Sequence, residues 1–101
     1  MSVKKVLEVL ATATGFQWDD GNIDKNWEKH SVSFLECEEV FFNELLVVAP
    51  EYVNTRGEER YIVLGKTDSG RRLLVVFALR DRKIRVISAR DMSKKERRYY
   101  Q

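Results

Sequence analysis

With 101 residues, 44% of them apolar and 11% aromatic, the chain holds enough hydrophobic material for one core and not for two, which excludes both a disordered protein and a multidomain enzyme. The single cysteine, Cys37, excludes an intramolecular disulfide and a multi-thiolate metal site, and no apolar run reaches the roughly 20 residues that span a bilayer. The net charge of +2 conceals an asymmetry: residues 1–59 hold five Lys/Arg against twelve Asp/Glu and residues 60–101 hold thirteen against four, so the second half is suited to holding a polyanion.

Val3, Val6, Leu7 and Leu10 recur at helical spacing, which predicts a short helix over residues 3–11 inside an N-terminal extension, residues 1–14. Lys4, Lys5 and Glu8 interrupt that stretch and argue against a signal peptide, so a cytoplasmic protein is expected. Phe16 to Trp18 alternates like a brief strand. Asp19, Asp20 or Asn22 can then cap a helix in which Ile23, Trp27 and His30 share one face. Ser33-Phe34-Leu35-Glu36 is a capping box opening a helix to about Asn43, with Phe34, Cys37 and Phe41 as its buried stripe. Leu45 to Ala49 reads as a short strand stopped by Pro50, and residues 51–58 as a polar loop.

The second half is a predicted antiparallel meander. Three apolar, β-branched runs between Gly57 and Arg90 are separated by turns at Lys66–Gly70 and Asp81–Lys83. In the middle run Leu73, Val75, Phe77 and Leu79 point one way and Leu74, Val76 and Ala78 the other. Both faces are apolar, so something besides the first two helices must cover the second face. A second capping box, Ser93 to Glu96, starts a short C-terminal helix rich in Lys and Arg. The expected fold is a single α+β domain, with N-terminal helices packed on a small antiparallel sheet of four strands.

Several apparent motifs carry no chemistry. Gly65-Lys66-Thr67-Asp68-Ser69-Gly70 resembles a phosphate loop, but Arg71 and a strand follow it where such a loop needs Lys-Ser/Thr and a helix. One His and one Cys leave no transition-metal ligand set, and Cys37 belongs to an apolar helix stripe, so neither a cofactor nor a nucleophilic cysteine is expected. What remains is His30, Glu58, Glu59 and the strand-end arginines Arg60, Arg80 and Arg90, some of which antiparallel strands would gather at one rim. A guanidinium fork matches two phosphate oxygens. Arg85 reads as facing solvent.

These residues also carry a resemblance. Trp18-Asp19, Asn26, Lys29-His30, Val32-Ser33-Phe34, Gly57-Glu58-Glu59-Arg60, Gly70-Arg71, Ile87-Ser88-Ala89-Arg90 and Glu96-Arg97-Arg98 resemble the BrnT family of toxins, from about Phe16 to Tyr100. The resemblance implies a RelE-like fold, ribonuclease activity without a metal, and a BrnA-type antitoxin encoded beside the toxin, in a complex that meets operator DNA only through the antitoxin. Under that reading His30, Glu58, Glu59, Arg60, Arg80 and Arg90 are the expected catalytic residues, with Lys29, Arg82, Lys94 and Arg97 binding RNA. The chain departs from the family at Ser31, where Gly usually follows Lys-His, and at Asn22, often a Lys. The competing classes are a toxin-fold module without catalysis and a nucleic-acid-binding subunit.

Overall fold

The computed structural model describes Glu8, residues 10–53 and residues 58–100, and for residues 46–53 it describes the backbone. Of the helix expected over residues 3–11, Glu8, Leu10 and Ala11 are helical and the rest lies outside the described residues, as does Gly57.

Three helices follow in chain order: α1 (Asp20–His30), α2 (Phe34–Phe42) and α3 (Lys94–Tyr100). Each begins where a side chain satisfies the free backbone N–H groups of a first turn. Asp19 caps α1 in a reciprocal pair with Asn22, and Ser33 and Glu36 form the box that opens α2. Ser93 and Glu96 make the same pair of bonds before α3. α1 ends at Ser31, whose φ of 54° and ψ of 37° put a non-glycine residue in the left-handed region while its N–H closes onto Asn26 and Trp27.

The strands are β1 (Gly15–Phe16), β2 (Leu46–Val53), β3 (Glu59–Lys66), β4 (Arg72–Arg80) and β5 (Lys83–Asp91), arranged in the order β1-β5-β4-β3-β2. β2 to β5 form the antiparallel meander, while β1 pairs in parallel with the start of β5, so the sheet is mixed and has five strands where four antiparallel ones were expected. β2 also runs on through Pro50 to Val53, and Pro50 pairs with Tyr61. An edge strand tolerates the missing N–H, and register shifts on either side of Pro50 absorb the misfit. The Gly65–Gly70 stretch ends β3 and forms the turn into β4, with Gly70 at φ 91°.

Facing the helices are Tyr61, Val63, Leu73, Val75, Phe77, Ile84, Val86 and Ala89, which pack with Val32, Cys37 and Val40 into one core. Phe34 is exposed at its rim, and Val40 joins the α2 stripe. β5 keeps its core side chains inward across an irregularity. Partners jump from Val76–Ser88 to Phe77–Val86, leaving Ile87 as an extra, bulged residue. α1 lies along this bulged edge of β5, and its inward residues are not Ile23, Trp27 and His30 but Asn22 and Asn26, both buried. Asn22 Nδ2 donates to the Val86 carbonyl at 3.3 Å and Asn26 Oδ1 accepts from the Ala89 N–H at 3.1 Å. Two side-chain amides thus satisfy strand groups that β1 is too short to reach. Trp27 is 58% exposed because the inner face of α1 is occupied by these polar contacts. α3 rests on β3 across the other side of the sheet.

Candidate active site

Alternation along the strands decides where the basic residues point. With Tyr61, Phe77, Leu79, Ile84 and Val86 inward, Arg60, Arg80 and Arg85 belong to the outer face. β3 begins, β4 ends and β5 begins at one rim, so these three arginines come from three adjacent strands to one place. Together with Gly21, Asn22 and Lys25 of α1 and Val86 and Ile87 at the bulge, they line a cleft of about 200 Å³.

Carboxylates orient Arg80 and Arg85. Glu58 takes the Arg80 fork with both oxygens, at 2.6 Å from Nε and 3.0 Å from Nη2. The Arg80 hydrogen bonds hold the Glu58 carboxyl below the usual carboxylate range against the opposing effect of burial, and Arg60 and Arg85 lower it further through space. Arg85 is held by Asp19, with 2.8 Å from Nη1 to Oδ2, and its Nη1 also meets Gln17 Oε1 at 3.4 Å. Its side chain is only 15% exposed. The expectation that Arg85 faces solvent therefore does not hold, because the Asp19 cap folds α1 back beside it. Asp19 in turn titrates below the usual range, chiefly through its bond to Arg85.

The remaining predicted residues are distributed elsewhere. Glu59 accepts from the Tyr61 hydroxyl at 2.8 Å, and burial, with this carboxylate, pushes the Tyr61 phenol up to about 12. Arg82 sits at φ 64° in the two-residue turn between β4 and β5, where its carbonyl accepts from the Thr14 N–H at 2.7 Å. Lys29 and His30 are exposed in the last turn of α1. His30 is nine residues from Gly21, about 14 Å along the helix axis. Arg90 ends β5 opposite Leu74, whereas Arg80 ends β4 six residues further on, about 20 Å away along the strand. Its fork binds Glu96 of α3 at 2.8 and 2.9 Å, and Lys94 and Arg97 are exposed on that helix. Arg97 shares a recess with Arg71, Arg72 and Asp91 at this second rim.

At that rim Arg71 binds Asp91 and Glu36 and donates to the carbonyls of His30 and Ser31, so it ties the end of α1 to α2 and β5. Cys37 is fully buried in the core, and desolvation, with Glu36 and Glu38 nearby, pushes its thiol up to about 12. It is a packing residue. Lys25 and Arg85 are the two cleft cations that sequence reasoning did not select. The signal for Arg85 was available in its position two residues after the Lys83 start of β5, hence on the rim shared with Arg60 and Arg80.

The family model described as "Ribonuclease toxin, BrnT, of type II toxin-antitoxin system" matches residues 18–96. No curated protein matches the sequence. Among solved structures, the crystal structure of the Brucella abortus ribonuclease toxin, BrnT, superposes with a TM-score of 0.59 at 22% identity, covering 79% of this chain and 97% of that one, and shares its fold. α1, α2, the meander and the cationic rim fall within the matched residues, as does the start of α3, and the chain belongs to the BrnT ribonuclease toxins of type II toxin-antitoxin systems.

Proposed function

We propose that the chain is a metal-independent endoribonuclease, RelE-like in architecture, which cuts RNA in the cleft between α1 and the first rim of the sheet. The observation that carries this reading is the convergence of Arg60, Arg80, Arg85 and Lys25 around one small cleft with Glu58 on its edge. Strand cleavage within RNA needs a base for the 2′-hydroxyl, positive charge for the phosphorane, and a proton for the departing 5′-oxygen. The 2′-oxygen attacks phosphorus, its proton passes to Glu58, and the bond from phosphorus to the 5′-oxygen breaks to leave a 2′,3′-cyclic phosphate. Guanidiniums do not give up protons, so Lys25 is the cleft cation able to protonate the leaving oxygen.

The Glu58–Arg80 pair is a resting state in this scheme. An incoming phosphate competes for the Arg80 fork, which already binds an oxyanion through two parallel bonds. Displaced from Arg80, Glu58 becomes more basic, so the base is armed as the clamp engages. At positions outside this cleft, His30, Lys29, Arg82, Lys94 and Arg97 bind the RNA, while Glu59 holds the Tyr61 hydroxyl and Arg90 holds α3. The partner is a BrnA-type antitoxin, and operator DNA is met through it.

Incubating the purified chain with an RNA oligonucleotide in EDTA tests the chemistry. Cleavage with cyclic-phosphate ends supports it. Loss of cleavage in EDTA, restored by Mg²⁺, overturns it.

A further inference from the structure

The outer face of the sheet carries a second feature beside the arginines. Ile62, Leu64 and Leu74 form the floor of a recess of about 620 Å³, walled by Lys95, Glu96, Arg98 and Tyr99 of α3. Tyr99 is 65% exposed beside this floor. The recess is firmly built: α3 is fastened by Arg90–Glu96 at its start and by the Tyr100 hydroxyl, 2.6 Å from the Glu44 carbonyl, at its end.

Two other apolar recesses lie among the described residues. The one between Leu10, Phe16, Phe41 and Phe42 has no charged residue in its lining, and the one between Ile23, Trp27 and Phe34 has only Asp24. Of these three, the α3 recess is the one bordered by cations, Lys95 and Arg98, while the carboxylate of Glu96 is engaged by Arg90. A complementary partner presents apolar side chains flanked by carboxylates.

We infer that the antitoxin of the system docks here through an amphipathic, acid-flanked segment, and that the same segment reaches the cleft; this rests on the family assignment and on the cleft proposed above. Ile62 and Arg60 share the outer face of β3 two residues apart, about 7 Å, and Leu74 and Arg80 share that of β4 six residues apart, about 20 Å. Some 13 helical residues cover the longer span. Anchored on the floor, such a segment lays carboxylates on Arg60 and on the Arg80 fork, a geometry Glu58 already realises within the chain. Neutralisation is then occlusion of the phosphate site.

The test uses the purified cognate antitoxin, titrated calorimetrically against the full-length wild type, Tyr99→Ala, the double variant Lys95→Glu/Arg98→Glu, and Trp27→Ala, with RNA cleavage followed in parallel. The expected result is binding weakened at least about tenfold by Tyr99→Ala and about a hundredfold by the charge reversal, unchanged in Trp27→Ala. All three free variants keep cleaving RNA, which also reports that they fold, and the first two escape inhibition. Weakening by Trp27→Ala alone overturns the inferred surface. Cleavage that continues in the wild-type complex overturns occlusion. A wild-type toxin that does not bind the antitoxin refutes the partner reading itself, whereas binding that ignores Tyr99, Lys95 and Arg98 refutes only the location.

Discussion

Asp19 and Arg85 are bound across the cleft wall in a way that makes one carboxylate serve two structures. Oδ1 accepts the Asn22 N–H that caps α1 at 3.2 Å, and Oδ2 accepts Arg85 Nη1 at 2.8 Å. The two duties are separable by mutation. Asn caps a helix about as well as Asp but brings no charge to Arg85, so Asp19→Asn is expected to keep its melting temperature and lose roughly tenfold in RNA cleavage. Asp19→Ala should lose that activity and, in addition, about 1 kcal/mol of stability. Wild-type cleavage by Asp19→Asn would show that Arg85 orients itself without this bond.

The cleft residues should dominate the rate. Arg60→Ala and Arg80→Ala are each expected to lower kcat by about 10² to 10³, the usual loss when a preorganised charge donor is removed from a phosphorane or oxyanion. Arg90→Ala, on the far rim, should loosen α3 and leave most of the rate intact. Single-turnover cleavage with circular dichroism on the same samples separates the two effects. Equal losses at Arg80 and Arg90 would count against a cleft-centred mechanism.

Ser31 should be a correctable weakness. Its left-handed backbone is costly for a residue with a Cβ, so Ser31→Gly is expected to stabilise the chain by about 1 kcal/mol, read as a rise in melting temperature.

Gly65 should behave in the opposite sense. A Cβ there would come within 2.6 Å of Val40 Cγ1 and 3.0 Å of Leu45 Cδ2, because β3 passes close under α2. Gly65→Ala is expected to destabilise by about 1 to 3 kcal/mol in chemical denaturation, as overpacked cores do.

The attachment of α3 should be acid-sensitive. The Arg90 hydrogen bonds, aided by the Ser93 N–H and opposed by burial, hold Glu96 at about 2, against an ordinary value of 4.5. A depressed folded-state value means that the stabilisation is complete above 4.5 and disappears as pH falls towards 2. Denaturation midpoints measured across that interval should decline, and Arg90→Ala should flatten the decline.

How far the sequence foretold this molecule depended on the range of each interaction. Capping at Asp19, Ser33 and Ser93 involves residues three apart, and the β3–β4 and β4–β5 turns are marked by their own Gly, Asp and Ser, so these features could be read directly. The sealing of the β5 edge by Asn22 and Asn26 joins residues more than 60 apart and leaves no local pattern, which is why the apolar Ile23–Trp27 face was expected to turn inward. Arg90 could have been separated from Arg60 by strand direction alone, since β3 and β5 start at the same rim and β5 ends at the other. The Arg71 clamp was missed because its partners come from three separate parts of the chain.

The extra residue at Ile87 has a consequence for how β5 tolerates change. Arg85 and Arg90 are five residues apart, an odd interval that a regular strand would send to opposite sides, yet their pairing with Ala78 and Leu74 gives them the same side. The bulge resets the parity of the strand midway, so its two halves obey the same inside-outside rule from different starting points. A substitution within β5 affects one position, whereas pairing Ile87 in register with Val76 would invert every side chain from Ser88 onward, burying Arg90 and turning Ala89 to water; deleting Ile87 would instead leave a regular strand with the same two sides. The strand thus depends on keeping its extra residue out of register, and the Asn22 and Asn26 bonds to Val86 and Ala89 pin the two halves on either side of it.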